Sequence, residues 1–325
     1  MDCTKAYVIG WYADKHINLG DEAFKPSFRK LWPNINFTFG NFIPENINDY
    51  DMCWFGGGSF FEQPLPNPKK VDITIPIFIV GVGLSSIHPN NKTIFEKAKA
   101  IVVRDSDSHK RFPQSILAPD IVFSLDDPKY KNKGNAKKVT VLLSDFISPG
   151  LQDVGYKYSS YDWFMTEFAS LCDTLVDSGF ELDFVPMCFG TFDDRRVAGS
   201  VISRMKYKNR VNWCLDILSL DTLREKISCS SLVITQRLHG AILSAMAEVP
   251  YINIRFHDKM LSLNKDIGWE GHIDYYGFNK SNFLDLLKKV DDTSLLKIYL
   301  NKTKEELECM SATVEKLFCL LPKNL

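Results

Sequence analysis

The chain has 325 residues, more than one ordinary domain, so we expect two domains. Hydrophobic residues make up 45% of the chain and charged residues 24%, a composition that excludes a disordered protein. The formal net charge of -1 excludes a strong overall attraction to nucleic acid or to an anionic membrane. No apolar run is long enough for a signal-peptide core or a membrane span, so we expect no integral membrane segment and a cytoplasmic protein. The eight cysteines are scattered without a C-x-x-C pair, which indicates neither a zinc site nor a disulfide framework.

Short apolar runs alternate with helix-like stretches in the first half of the chain, as in a parallel sheet with crossover helices. The predicted strands cover residues 5–12, 35–39, 51–55, 75–80 and 101–104. The predicted helices cover residues 21–32, 91–100 and 106–112.

A stretch rich in Asp, Lys, Asn and Gly at residues 125–138 predicts an interdomain linker. The same strand–helix alternation follows it. The predicted strands are 138–144, 181–186, 210–214, 231–235 and 251–254, and the predicted helices are 161–178, 194–205, 223–228, 237–247, 281–290 and 295–317. We therefore predict an α/β fold of two Rossmann-like domains with a cleft between them, a GT-B-like plan, with domains at 1–130 and 131–325. The last helix is a candidate to pack back on the N-terminal domain.

The strongest local signal is the strand–helix junction Thr235-Gln236-Arg237-Leu238-His239-Gly240-Ala241. The first amides of a helix lack intrahelical acceptors, and the positive end of its dipole suits a phosphate or carboxylate. Arg237 would add a planar fork for such an anion, and His239 an acid or base near neutral pH. The alternative is that both side chains only cap and pack the junction. Lys259 follows the next strand and would emerge at the same sheet edge, unless it is an ordinary solvated lysine.

In the first half, polar or glycine-rich segments follow three predicted strands, one of them being Gly81-Val82-Gly83 after strand 75–80. Asp21 and Glu22 start a helix after the turn that Gly20 permits, and Asn18 precedes them. This pattern is either a well-formed helix start or a site for sugar hydroxyls. Gly57 and Gly58 leave backbone exposed at the end of another strand, although glycine there more often marks a turn.

The remaining candidates are less specific. Arg104 ends an N-domain strand and would reach a donor from that side, or form a surface ion pair. Asp193 and Asp194 are candidate acids or bases, or a helix cap. Four aromatic residues are candidates to stack on sugars, namely Tyr12, Trp54, Phe60 and Phe61.

Taken in order, these segments resemble the polysaccharide pyruvyl transferase family. The resemblance rests on Asn18-Leu19-Gly20-Asp21-Glu22-Ala23, Gly56-Gly57-Gly58, Gly81-Val82-Gly83, Arg104-Asp105 with Ser108, Ala118-Pro119-Asp120, Arg237-Leu238-His239 with Ala245 and Pro250, and Lys259. One departure is Glu248, which stands where the family usually has glycine.

The resemblance implies a transferase that moves a pyruvyl group from phosphoenolpyruvate, as co-substrate, to a sugar and forms a ketal. It implies a donor set of Arg237, Leu238, His239 and Lys259, to which we add Arg104. The N-terminal residues Asn18, Gly20, Asp21, Glu22, Gly57 and Gly58 are then expected to bind the acceptor. Chemically, His239 would be the acid and Asp193 or Asp194 the base, with no metal and no further cofactor. The alternatives are a GT-B glycosyltransferase that uses a nucleotide sugar, and a non-catalytic glycan-binding protein.

Overall fold

The computed structural model describes residues 4–12, 17–59, 61–67, 69–134, 137–145, 158–256, 258–290 and 292–320. Contacts between residues divide the chain into two units. The first unit consists of Met1–Asp14, Asp21–Leu125 and Asn301–Leu325, and the second of Lys15–Gly20 and Asp126–Leu300. The break near residue 125 lies inside the predicted linker. Lys15–Gly20 belong to the second unit, and Asn301–Leu325 belong to the first unit, although each segment is distant in sequence from the rest of its unit.

In chain order, the first part of the chain forms strands and helices with these bounds: β1 Thr4–Ile9, β2 Ile17–Asn18, α1 Leu19–Glu22, α2 Phe24–Leu31, β3 Ile35–Gly40, β4 Met52–Gly58, β5 Ile77–Val82, α3 Lys92–Lys97, β6 Ala98–Val103, α4 Ser106–Arg111 and β7 Ile116–Leu117. The strands of the first unit form one parallel sheet in the order β3-β1-β4-β5-β6-β7. Every residue of β4 and β5 is buried, as expected for central strands of a parallel sheet covered on both faces.

The rest of the chain continues with β8 Lys138–Leu142, α5 Tyr158–Asp177, β9 Glu181–Phe184, β10 Cys188–Phe189, α6 Asp194–Arg204, β11 Val211–Trp213, α7 Leu220–Ser228, β12 Leu232–Thr235, α8 Leu238–Met246, β13 Tyr251–Arg255, α9 Asp258–Ile267, β14 His272–Asp274, α10 Lys280–Leu287 and α11 Ser294–Cys319. The second parallel sheet has the order β11-β9-β8-β12-β13-β14. Thr235 is in register with Leu142 and with Asn253, so β8, β12 and β13 end at one edge. Apart from this sheet, β2 pairs antiparallel with β10.

Aromatic side chains fill the core of the first unit around Trp54. Its ring lies 5.1 Å from Phe78 and 4.9 Å from Trp32, measured between centroids. The end of α11 packs on this cluster through Phe318, 6.4 Å from Trp54. Ser311 secures the same helix, because its hydroxyl donates to the Leu31 carbonyl at 2.9 Å. Hydrophobic burial and ring contacts thus attach the end of the chain to the first unit.

Local structure departs from the sequence prediction in several places, among them the two-residue strands β2, β7 and β10, which were not predicted. The predicted helix 91–100 stops at Lys97, and the chain continues directly into β6. The helix α9 and the strand β14 were not predicted, since α9 follows a polar stretch and β14 has three residues and no pattern to detect. Among the described residues, no helix is both long enough and apolar enough to cross a membrane.

Glu248 adopts the left-handed backbone conformation that glycine favours, with φ 57°. It follows α8 in a Schellman turn, in which the Val249 amide donates to the Ser244 carbonyl at 3.0 Å and the Glu248 amide to the Ala245 carbonyl at 2.9 Å. The Glu248 carboxylate lies 3.1 Å from the Lys131 ammonium and 3.5 Å from that of Lys297. The turn expected of glycine is therefore retained, and two partly exposed ion pairs accompany the strained residue.

We expect Glu248→Gly to be more stable than Glu248→Ala by about 1 kcal/mol, because both lose the ion pairs but only glycine relieves the left-handed strain. Wild type should lie within about 1 kcal/mol of Glu248→Gly, since partly exposed pairs contribute little. Denaturant unfolding of the three proteins measures these differences. Equal stability of the glycine and alanine variants would contradict the strain argument.

Candidate active site

The junction between β12 and α8 is closed by the side chain of Thr235. Its hydroxyl accepts a hydrogen bond from the Arg237 amide at 2.9 Å and donates one to the Arg237 carbonyl at 3.0 Å. Arg237 is the N-cap residue of α8, in an extended conformation, and its side chain makes no capping hydrogen bond. The first amides of α8 are therefore left without a side-chain cap, and they present the positive end of the helix dipole.

Arg237 is buried and forms an ion pair with Asp194, through Nη2 and Oδ1. The Arg237 guanidinium, which was predicted to bind an anion, is thus held in place by the Asp194 carboxylate at the start of α6. Leu238 is also buried, so any part it has in binding an anion would come from its backbone amide at the start of α8.

Asp194 accepts hydrogen bonds from three backbone amides as well as from Arg237. The amide of Asp145 donates to Oδ1 at 3.0 Å, and those of Met187 and Cys188 donate to Oδ2 at 3.1 and 2.9 Å. Burial raises the pKa of Asp194, while the Arg237 guanidinium and the amides act in the opposite direction. With four donors on its two oxygens, Asp194 is arranged to position Arg237 more than to act as the predicted general base.

Asp193 is the N-cap of α6, as the alternative prediction had it. Its Oδ1 accepts from the Arg195 amide at 3.1 Å, and its carboxylate also pairs with the Arg195 guanidinium at 2.5 Å. This pairing lowers the pKa of Asp193, which weakens it as a base near neutral pH.

Two further buried polar residues support this part of the structure, and the sequence analysis did not select them. Asp145 accepts from the Asp193 amide at 3.1 Å and from Arg196 Nε at 3.0 Å. The Oε1 atom of Gln236, which is 1% exposed, accepts from the Ser144 amide at 2.9 Å. Both polar positions come directly after predicted strands, at the sheet edge where ligands bind in such folds, and that position was the signal available in the sequence.

His239 is the second residue of α8 and is packed against Gly20. A Cβ atom built on Gly20 would lie 2.3 Å from His239 Nδ1, a distance that no side chain can occupy. The pairing of β2 with β10 brings Gly20 here, and the Leu19 amide donates to the Met187 carbonyl at 2.9 Å. Gly20 was predicted to permit a tight turn, but it has no positive φ. Its role is to leave room for the imidazole.

The other predicted residues of this N-terminal segment are placed as follows. Asn18 Oδ1 accepts from the Gly20 amide at 3.1 Å, so its side chain stabilises the start of α1. Glu22 pairs with Lys25 at 2.6 Å. Asp21 lies near the end of β4, where a Cβ atom on Gly58 would be 3.9 Å from its Oδ1.

Lys259 is the second residue of α9 and is exposed. α9 follows β13, the immediate neighbour of β12 in the sheet. Lys259 thus begins the element next to the one that carries Arg237 and His239, as the order of parallel strands predicted.

Arg104 is buried in the first unit, so the alternative of a surface ion pair is wrong. Its Nη1 lies 3.1 Å from Asp120 Oδ2, and its Nη2 donates to Ser59 Oγ at 3.4 Å. A Cβ atom on Gly83 would be 3.2 Å from the guanidinium, which shows that Arg104 lies along the backbone at the end of β5. Gly57 and Gly58 end β4 with φ values of 80° and 79°, a backbone conformation that residues other than glycine rarely adopt.

Three of the four aromatic residues that were candidates to stack on sugars belong to the core. Tyr12, Trp54 and Phe61 are 4%, 0% and 0% exposed, and Phe60 lies outside the described residues. Burial raises the pKa of Tyr12, and the nearby Asp21 and Glu22 raise it further. Within the described part of the chain, no group of three His, Cys, Asp or Glu side chains is placed to hold a metal ion.

The profile of the family described as polysaccharide pyruvyl transferase matches residues 2–258. This chain belongs to that family. The match confirms the resemblance seen in the sequence, and it ends one residue before Lys259. The chain is also similar to the amylovoran biosynthesis protein AmsJ of Erwinia amylovora, with 22% identity over 260 residues, which make up 69% of this chain and 61% of AmsJ. The chain thus matches about three fifths of the length of that relative.

Several solved structures share the fold. Staphylococcus aureus MnaA, in a co-structure with UDP, superposes with a TM-score of 0.64 at 11% identity over 99% of each chain. A putative UDP-N-acetylglucosamine 2-epimerase from Listeria monocytogenes gives 0.62 at 11% identity over the whole of both chains. Acinetobacter baumannii MurG gives 0.55 at 9% identity over 96% of this chain and 99% of its own. Together with the two parallel sheets, these likenesses confirm the predicted GT-B-like class of two Rossmann-like α/β units.

For this pyruvyl transferase family member we expect Gly20→Ala to destabilise the fold by roughly 1–3 kcal/mol, because the added methyl group would overlap the His239 imidazole. The effect should shrink to below about 1 kcal/mol in a His239→Gly background, because alanine would keep a Cβ atom only 2.8 Å from the added carbon. Thermal or denaturant unfolding of the four proteins in this cycle tests the contact. The same penalty in both backgrounds would show that Gly20 is needed for another reason.

We expect Asp194→Asn and Asp193→Asn to differ sharply in activity. Asp194→Asn removes the charge that pairs with buried Arg237, a change on the order of 3–5 kcal/mol, and should reduce transfer strongly. Asp193→Asn keeps a good N-cap and should leave the turnover number within about threefold. Steady-state kinetics of the two variants measure this, and a selective loss of turnover in Asp193→Asn would make Asp193 the base.

The difference in stability between wild type and Asp193→Asn should depend on pH. The folded-state pKa of Asp193 is lowered, so in wild type the ionised carboxylate stabilises the fold above the unfolded-state value of about 3.9, and this contribution is lost as the pH falls through the folded value. The difference between wild type and Asp193→Asn should therefore be constant near neutrality and decrease below about pH 4.

Proposed function

We propose that this protein transfers the pyruvyl group of phosphoenolpyruvate to two hydroxyls of a sugar in a glycan or glycan precursor. The observation that carries this proposal is the anchored Arg237 at the open N-terminus of α8, followed two residues later by the packed His239. Membership of the polysaccharide pyruvyl transferase family supports the same reaction class.

The proposed donor carries a phosphate and a carboxylate close together, so it needs several cations and oriented amides. Arg237 supplies a guanidinium whose orientation Asp194 fixes, and the amides of Leu238 and His239 supply the helix N-terminus. Lys259, at the start of the neighbouring helix, adds a flexible ammonium. Arg104 is paired with Asp120, and we propose that it shapes the backbone at the end of β5 and does not bind the donor.

The chemistry balances with phosphoenolpyruvate as the only co-substrate and calls for no further cofactor. A proton is added to the methylene carbon, which becomes a methyl group, and C2 gains oxocarbenium character. One sugar hydroxyl attacks C2, and the C2–O bond to phosphate breaks with both electrons leaving on phosphate. A second hydroxyl closes the ketal on C2. Of the two hydroxyl protons, one replaces the proton given to carbon and the other leaves with inorganic phosphate.

We propose His239 as the acid that protonates the methylene carbon. His239 lies in the first turn of α8, two residues after Arg237, so the imidazole would be close to an anion bound at this end of the helix. Gly20 leaves room for the imidazole, because a Cβ atom at residue 20 would lie 2.3 Å from Nδ1.

The function is tested by incubating the protein with phosphoenolpyruvate and a panel of p-nitrophenyl hexosides. Release of inorganic phosphate that depends on the sugar, with a product heavier by one pyruvate less one water, supports the proposal. UDP-sugars in place of phosphoenolpyruvate form the control for a glycosyltransferase. Transfer from a UDP-sugar, or binding of sugars without any transfer, would instead support one of the two alternatives.

We expect His239→Gln to keep phosphoenolpyruvate affinity and to lose turnover by roughly 100-fold, because glutamine retains a neutral hydrogen-bond donor but cannot supply the proton. Calorimetric titration of phosphoenolpyruvate and turnover at saturating donor separate the two effects. Normal turnover would exclude His239 as the acid. Lost affinity with normal saturated turnover would make it a residue that only binds the donor.

A further inference from the structure

Trp11 is an exposed tryptophan at the end of a central strand of the first unit. It is 41% exposed, whereas Trp32, Trp54 and Trp269 are at most 5% exposed. Trp11 follows β1, and β1 is paired with β4, so the indole belongs to the carboxyl edge of the sheet, where ligands bind in such folds. A large apolar surface at this edge has a position suited to a ligand.

The indole borders a small space above Gly58 that a carboxylate shares. A Cβ atom on Gly58 would lie 3.3 Å from Trp11 Cδ1 and 3.9 Å from Asp21 Oδ1. Because Gly58 also has a positive φ, both its backbone and its lack of a side chain keep that space open. An apolar ring and a hydrogen-bond acceptor therefore both lie within 4 Å of the side-chain position of one glycine.

The charge of this region favours a neutral, hydroxyl-rich ligand. Burial raises the pKa of Tyr12, and the carboxylates of Asp21 and Glu22 raise it further, so both carboxylates lie close to this edge of the sheet; Glu22 also pairs with Lys25. An anion such as phosphoenolpyruvate would be repelled by Asp21, whereas a sugar hydroxyl would donate to it. The C–H face of a pyranose ring, in turn, matches the apolar face of an indole.

We propose that Trp11 is the platform on which the acceptor sugar stacks, with Asp21 accepting a hydrogen bond from one of its hydroxyls. This inference rests on the proposed function and names the residue that selects the acceptor. Four other aromatic residues were predicted from the sequence to stack on sugars, and those that the structure describes lie in the core.

The kinetic test compares Trp11→Ala and Trp11→Phe with wild type, at saturating phosphoenolpyruvate, using the hexoside that wild type accepts best. We expect Trp11→Ala to raise the acceptor KM roughly 10-fold and leave the phosphoenolpyruvate KM within twofold, and Trp11→Phe to recover most of the loss. Trp213→Ala is the matched control, since Trp213 is 43% exposed but lies on β11 of the other unit. An unchanged acceptor KM in Trp11→Ala, or an equal rise in both KM values, would overturn the proposal.

A binding test separates this inference from the reaction itself. Saturation-transfer NMR with methyl hexosides measures contact with wild type, Trp11→Ala and Trp213→Ala without any donor, and thermal unfolding checks that each variant is folded. Loss of the sugar signal in Trp11→Ala alone supports the platform even if phosphoenolpyruvate proves not to be the donor. Equal signals in all three proteins, or none with wild type, would overturn it.

Discussion

The buried ion pair between Arg237 and Asp194 is the interaction on which the geometry of the second unit's site depends. A carboxylate so far from water is costly unless its remaining hydrogen-bonding capacity is also satisfied. Asp194 meets this condition with three backbone amides, from Asp145, Met187 and Cys188. The end of β8, the start of β10, the start of α6 and the end of β12 therefore have to be in place together. A lysine at position 237 would lack the planar fork that this arrangement orients.

The short strand β10 connects the two halves of this site. The amides of Met187 and Cys188 hold Asp194, and through it Arg237. The Met187 carbonyl accepts from Leu19, and β10 pairs with β2, which sets Gly20 against His239. One stretch of backbone thus fixes both the cation and the imidazole. This explains why an N-terminal segment belongs by its contacts to the second unit.

The parts of this structure that were predictable are those with a local pattern. Repeated apolar runs indicated both parallel sheets, and the junction at Arg237 and His239 was visible as a strand followed by a helix. The pairing of β2 with β10 was not, because two-residue strands have no periodicity and their partners are distant in the chain. The burial of individual polar residues could not be predicted from the sequence either. Asp145 and Gln236 are polar residues after strands, like many surface residues, and only the tertiary structure makes them interior.

The exposure of aromatic residues and the backbone conformation of Glu248 were also beyond prediction from the sequence. The sequence shows where aromatic residues occur but not which ring faces solvent, so Trp54 was a candidate for a ligand and Trp11 was not. Glu248 shows the converse. A residue that departs from the family pattern still adopts the glycine conformation, because the hydrogen bonds of the Schellman turn after α8 require it, and two lysines pair with its carboxylate. The turn after α8 therefore forms with glutamate at position 248, although glycine would adopt this backbone conformation with less strain.

The net charge of -1 is compatible with the way in which the two proposed ligands would be recognised. In the second unit, the guanidinium groups of Arg195, Arg196 and Arg237 are each matched by a carboxylate, so the cations are oriented without an overall positive field. An anionic donor would then be bound by geometry, through a fixed fork and helix amides, more than by long-range attraction. In the first unit, an indole and a carboxylate flank a bare glycine, which suits a neutral ring. The two proposed ligands would thus be distinguished without a charged surface. Asp21 would repel the anionic donor, and a neutral sugar would lack the charge that Arg237 and the helix amides bind.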